Sequence, residues 1–229
     1  ESEGQVPSEP LMKSGSVKPN QIIPHTIIRA ATFEAKSREA MIVMHVGNEY
    51  MAVGGLPTPL TIGPAKDISN WEKNWFVLVN MCIGVMLVMA LYHFILFWIY
   101  REDRASLYFA LLCSVLTVYS AALFMQLHYL LIPEPSVSSF VTSLYILFLG
   151  SYFAIALLFS FIRAIYPEEF PLLFSKAVWA IMLTFSGLCL LLGFPMAGYL
   201  NIPFFVVTIL LLGLCNVYLL RARKNKRTG

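Results

Sequence analysis

From position 75 onward the chain runs as long, continuously apolar stretches separated by short connectors. Five stretches reach or approach the roughly 20 residues that a helix needs to cross about 30 Å of hydrocarbon: 75–100, 105–130, 140–165, 177–194 and 202–220. The connectors carry helix-ending residues: Arg101-Glu102-Asp103-Arg104, then Pro133 and Pro135, Pro167 and Pro171, and Pro195, Gly198 and Pro203. No Asp, Glu, Lys or Arg lies deep inside a stretch. The stretches are too long and too evenly apolar for the alternation of a transmembrane β-barrel. The pattern predicts a mainly α fold, a polytopic transmembrane helical bundle over 71–221, with a basic tail over 222–229.

The part before the bundle reads differently. Residues 1–20 are polar, rich in Ser, Gly and Pro, and predict an irregular segment. Residues 21–70 carry short β-prone runs at Ile22-Ile23, Thr26 to Ile28, Ala30 to Phe33 and Met41 to Val46, the last compatible with a buried strand. Gly47-Asn48, Gly54-Gly55, Pro57, Pro59 and Pro64 mark turns between and after them. A few strands are too little for an independent sandwich. With Glu1 preceded by neither Met nor a signal-peptide pattern, the chain reads as a processed protein or an excised piece.

Composition supports the division. The chain is 58% hydrophobic and 13% charged, against roughly 45–50% and about 25% for an average soluble domain. That excludes disorder, a disulfide-stapled miniprotein and a nucleic-acid arm, so no nucleic-acid partner is expected. The net charge of +3 is uneven: residues 1–73 sum to −1 and the remainder to +4. With the N-terminus outside, segments 101–104, 163–176 and 221–229 face inward and hold nine Lys or Arg, whereas loops 131–139 and 195–201 hold none. The positive-inside rule therefore predicts an extracytoplasmic N-terminus and a cytoplasmic C-terminus. Trp71 and Trp75 mark the outer end of the first span, Trp98 and Tyr100 its inner end, as an aromatic belt requires.

Two stretches carry a family resemblance. One is IVMHVGNEYMAVGGLPTPLTIG at 42–63; the other is MALYHFILFWIYREDRASLYFALLCSVLTVYS at 89–120, with Tyr92-His93 on the first helix and Leu107-Tyr108-Phe109 on the second. Together they resemble the bacterial seven-transmembrane receptors with diverse intracellular signalling modules, over roughly 20–220. The resemblance implies that 21–70 is the C-terminal part of an extracytoplasmic jelly-roll sensor domain, followed by five of that family's seven helices. It implies a multi-pass protein of the bacterial inner membrane that receives a small-molecule or carbohydrate ligand outside and passes the signal to a cytoplasmic output domain, such as a histidine kinase or cyclase. The ligand-binding residues are not identified by any matched motif.

Few residues stand out chemically. No HExxH, GxSxG, phosphate-binding loop or haem-ligand pair occurs, so no catalytic, metal or cofactor site is expected, and the chain itself reads as no enzyme. Cys82, Cys113, Cys189 and Cys215 all sit in apolar runs without CxxC or Cys/His spacing and read as small packing residues. His25 and His45 have no partner at ligand spacing, and His128 with Gln126 reads as solvated at the outer end of the second span.

His93 lies about eight residues from the inner turn, roughly 12 Å, and reads either as an interhelical hydrogen-bonding residue or as a signalling residue. Arg101 and Arg104 flank a solvated hairpin that could also meet the output domain. The basic tail reads as a stop-transfer flank, with anionic headgroups as its other partner. Gly150-x-x-x-Ala154 and Ala110-x-x-x-Ser114 allow close helix approach, within the chain or, alternatively, in a homodimer.

A receptor core embedded in the lipid bilayer is therefore the leading reading. A small transporter or channel subunit is the alternative, and it would need polar groups or broken helices at the midplane. An intramembrane enzyme would need a reactive constellation that is not visible. The junction before the first span suggests how a signal passes. Between Ala65 and Lys73 there is no Gly or Pro, and Asn70 offers an N-cap, so a helix starting near Trp71 should run unbroken into the membrane.

Overall fold

The computed structural model describes residues 16–18, 21–23, 31–33, 42–44, 60–124, 137–193 and 196–224. Near the N-terminus, β1 (Ser16–Lys18) pairs antiparallel with β2 (Gln21–Ile23), Ser16 opposite Ile23 and Lys18 opposite Gln21. The expectation that 1–20 is irregular is thus corrected at 16–18. Val17 opposes Ile22, and the intervening Pro19-Asn20 are turn formers by residue type. Phe33 and the run Ile42, Val43 and Met44 are exposed and lie outside any regular element. Since a strand is stabilised by cross-strand neighbours, β-prone composition at 42–44 has not sufficed to make one. The remainder of the jelly-roll expectation falls outside the described residues.

Five helices are long and apolar enough to span a membrane. They are α1 (Ala65–Ile99), α2 (Arg104–Leu123), α3 (Val137–Ile165), α4 (Leu172–Leu192) and α5 (Asn201–Lys224), the last preceded by a 3-10 turn at Met196–Leu200. The helix α1 starts at Ala65 rather than at Asn70 or 75, which corrects both expectations. Pro64, in extended geometry, serves as N-cap, its carbonyl accepts from the N–H groups of Asp67 and Ile68, and Asp67 places a negative charge in the first turn. Asn70 lies inside the helix. Likewise α4 begins at Leu172, not 177, because Pro171 is pre-set for a helix entry and its carbonyl accepts from Phe174 and Ser175. It ends at Gly193, whose φ of 66° is a conformation glycine adopts without a Cβ penalty. Pro203 sits in the first turn of α5, where a missing N–H costs nothing.

Successive helices run in opposite directions. Trp75 meets Phe124 and His93 meets Phe109 across α1 and α2, and Gly150 faces Tyr119 and Phe161 meets Phe109 across α2 and α3. Across α3 and α4, Tyr152 meets Phe185 and Phe159 meets Phe174. The main core lies among α3, α4 and α5. Tyr152, Phe159, Phe170, Val178, Met182, Cys189, Phe204 and Cys215 are buried there. Aromatic edges join its helices: Tyr152 meets Phe204 at 4.7 Å, and Tyr218 meets Phe170 at 5.1 Å and Phe174 at 5.4 Å. A Cβ on Gly150 would stand 3.4 Å from the Tyr119 ring, so this small residue lets α2 and α3 approach.

Polar side chains within the helices bond to their own backbone, as hydrocarbon surroundings require. Ser114 donates to the Ala110 carbonyl, Thr117 to Cys113, Ser186 to Met182, Asn80 to Phe76 and Asn216 to Leu212. Cys113, Cys189 and Cys215 are buried packing residues, and Cys82 is exposed.

Candidate functional site

The residues singled out from the sequence separate into two groups at opposite ends of the bundle. Trp71 and Trp75 are one turn apart on α1 and stack, with centroids 6.2 Å apart and rings 8° from parallel. Trp75 also meets Phe124, at the end of α2, edge-on at 5.9 Å. This pair ties the early part of α1 to α2. Ahead of the pair, Ala65 to Asn70 form six helical residues, about 9 Å of helix, carrying Lys66 and Asp67, and Glu72 and Lys73 lie between the two tryptophans.

The second group lies at the end marked by Arg101, Arg104, Arg163, Lys176, Arg221 and Arg223. His93 packs edge-on against Phe109 of α2 at 4.5 Å and against Tyr92 at 5.2 Å, and Phe109 in turn meets Phe161 of α3 at 5.1 Å. A file of rings therefore crosses from α1 through α2 to α3. The His93 Nδ1 is enclosed and makes no hydrogen bond. Ring packing, not an interhelical hydrogen bond at that nitrogen, is what His93 supplies.

The Arg101 guanidinium lies 4.5 Å from the Trp98 ring and 5.6 Å from Phe97, so it extends the aromatic end of α1. Arg104 is exposed at the first position of α2. Between them, Asp103 caps α2: its carboxylate accepts from the Ser106 N–H at 3.1 Å and from the Ser106 hydroxyl. The hydroxyl first, then the N–H, holds the Asp103 carboxyl below its ordinary value of 3.8. The connector is thus a solvated corner, with all of 101–104 exposed, that carries a defined cap.

A feature unmarked in the sequence reading lies at the same end. A cavity of about 410 Å³ opens among α2, α3 and α4, lined by Tyr108, Arg163, Ser175, Lys176 and Leu183 among others. Its wall is braced by Trp179, whose indole N–H donates to the Ser160 hydroxyl at 2.8 Å, while that hydroxyl donates to the Ala156 carbonyl. The Arg163 Nε is enclosed and makes no hydrogen bond. Arg163 and Lys176 entered the sequence reading only as topology markers. Their convergence depends on the packing of helices whose contacting residues, such as Ser160 and Trp179, are 19 positions apart. Among the described residues no three His, Cys, Asp or Glu side chains gather as a metal site would need. His25, His45, Gln126 and His128 lie outside the described residues.

Five long apolar helices and a basic end define a multi-pass membrane protein. The family model described as 7TM diverse intracellular signalling matches residues 76–229, which contain all of α2 to α5 and most of α1. The chain belongs to that family, and the matched segment is its membrane-spanning signalling domain, not itself a catalytic one. Comparisons with curated proteins and with solved structures gave no match.

Proposed function

We propose that this chain is the core of a transmembrane receptor that couples an extracytoplasmic sensing segment to a cytoplasmic output module. In this reading it lies in a bacterial inner membrane with the basic end inside. The sensor would take a small-molecule or carbohydrate ligand, and a kinase or cyclase module would respond. The observation that carries the proposal is the continuity of α1: 35 helical residues from Ala65 to Ile99. At 1.5 Å per residue this is about 52 Å, against roughly 30 Å of hydrocarbon. The surplus extends ahead of the Trp71–Trp75 pair, and the other end stops at the Asp103 corner and the His93–Phe109–Phe161 file. One stiff element therefore reaches from the sensing side to the basic end and can carry a rotation or axial shift.

The decisive comparison is ligand-dependent output from the intact receptor with and without a four-residue Gly-Ser insertion after Asn70. The insertion should abolish the response while expression stays normal; an undiminished response would reduce α1 to a tether. Orientation is tested by cysteine labelling from outside in a background without the native cysteines. Ser136→Cys should label strongly and Asp103→Cys not at all, and the reverse would invert the topology.

A further inference from the structure

We propose that the cavity among α2, α3 and α4 is a binding site for the phosphate-bearing headgroup of an anionic membrane lipid. The site follows from membrane geometry and does not depend on the receptor reading. The lining is graded. Arg163, two residues before the end of α3, and Lys176, in the second turn of α4, place two cations at one level, with the Ser175 and Tyr108 hydroxyl-bearing side chains beside them. Leu172 lines the mouth at the start of α4, and beyond Lys176 the wall becomes Ala180 and Leu183. Leu183 lies seven residues beyond Lys176, about 10 Å deeper along the helix. A charged head over an apolar stem is the shape of a lipid, whereas a free anion would use only the outer half of this cavity. The volume lies within the roughly 300–1,000 Å³ of small-molecule sites.

The cations are more than topology markers. Arg163 is half-buried and lines the cavity, with its Nε enclosed and without a hydrogen bond. Lys176 is exposed at the mouth, free to close over a headgroup. Trp179 is committed to Ser160 and stabilises the wall between the basic and apolar parts. Glu168 and Glu169, in the connector from α3 to α4, have contacts of their own and do not line the cavity. Basic pockets between helices at a membrane surface are suited to anionic headgroups, each cation being worth roughly a fivefold gain in affinity.

The test is native mass spectrometry of the purified chain titrated with phosphatidylglycerol, with phosphatidylcholine as the zwitterionic reference. Wild type should retain one phosphatidylglycerol at energies that strip phosphatidylcholine. Arg163→Gln with Lys176→Gln should weaken that adduct about thirtyfold, and Lys176→Gln alone about fivefold. Lys176 is exposed, so the single variant leaves packing intact if the double variant does not fold. Arg221→Gln with Arg223→Gln, at the same end but away from the cavity, should leave the adduct unchanged. Equal loss in that control, or full retention in Lys176→Gln and the double variant, would overturn the site. Displacement of the lipid by millimolar inorganic phosphate would show a free-anion site and overturn the lipid assignment.

Discussion

The first helix and the last three solve the same problem in opposite ways. Of the most apolar 18-residue window of α1, only 6% is buried, against 28% in α3 and α4 and 22% in the last span. The helix α1 buries Val79 and Ala90 and leaves Phe76, Val77, Val85 and Ile95 facing outward. The α3–α4–α5 unit instead interlocks Tyr152, Phe170, Phe185, Phe204 and Tyr218. Lipid is as apolar as these side chains, so hydrophobicity alone cannot hold helices together in a bilayer; packing and hydrogen bonds must. The helix α1 packs along α2 on one side only and leaves its other faces open, so a shift of α1 has one neighbouring helix to work against. A helix locked among aromatic rings cannot shift without breaking contacts. In the receptor reading proposed above, α1 would be the moving part and α3–α5 the fixed frame.

The strongest way to break this contrast is to truncate one ring in each region. Phe204→Ala should lower stability by about 2–3 kcal/mol, the cavity and lost-contact part of a large-to-small change without the water-transfer part. Phe76→Ala, on the exposed face of α1, should change it by no more than about 0.5 kcal/mol. Thermal denaturation in one detergent would compare the two, and equal losses would dissolve the distinction. Next is the α2–α3 contact: Gly150→Leu should cost about 1–3 kcal/mol by forcing the helices apart. Gly150→Ala should be nearly neutral, because its Cβ meets the Tyr119 ring at ordinary contact distance.

At the corner between α1 and α2, Asp103→Ala should cost about 1 kcal/mol through loss of the cap. Because the folded carboxyl titrates below its unfolded value, that contribution should be complete above about pH 4. It should fade as the pH falls from the unfolded value through the folded one, so wild type and variant should converge at low pH and stay apart at pH 7. Smallest is Trp75→Ala, which removes one stacked and one edge contact at a half-exposed site and should cost up to about 1 kcal/mol. Its sharper signature would be freer motion of α1 near Phe124, read as broadened spectra from a spin label at Glu72.

The number of helices and their apolar extent were legible because long runs without charge have few other solutions. Their starts were less so. Lys66, Asp67, Glu72 and Lys73 fall outside any apolar window, so α1 looked shorter than it is, although Pro64 and Asp67 together mark a helix entry. At α4 the polar Ser175 and Lys176 concealed the first turn in the same way. The Asp103-x-x-Ser106 spacing is an N-cap pattern within the solvated 101–104 connector. The basic cavity could not be read at all, since no local spacing relates Tyr108, Arg163 and Lys176. They meet only once α2, α3 and α4 pack. The sites named from the sequence were isolated polar or aromatic residues, and the structure turned several of them, His93 above all, into members of ring contacts.

Mechanical coupling through α1 requires one stiff rod from Ala65 to Ile99. Spin labels at Lys66→Cys and Ile99→Cys, in a chain with native cysteines replaced by alanine and held in lipid nanodiscs, measure it by pulsed electron resonance. Both positions are exposed. The expected result is a single narrow distance distribution near 50 Å, as 33 residues at 1.5 Å each require, which a Gly-Ser insertion after Asn70 broadens. A broad or shortened distribution in the uninterrupted chain would mean that α1 bends or breaks at the membrane surface, and mechanical coupling through it would be contradicted.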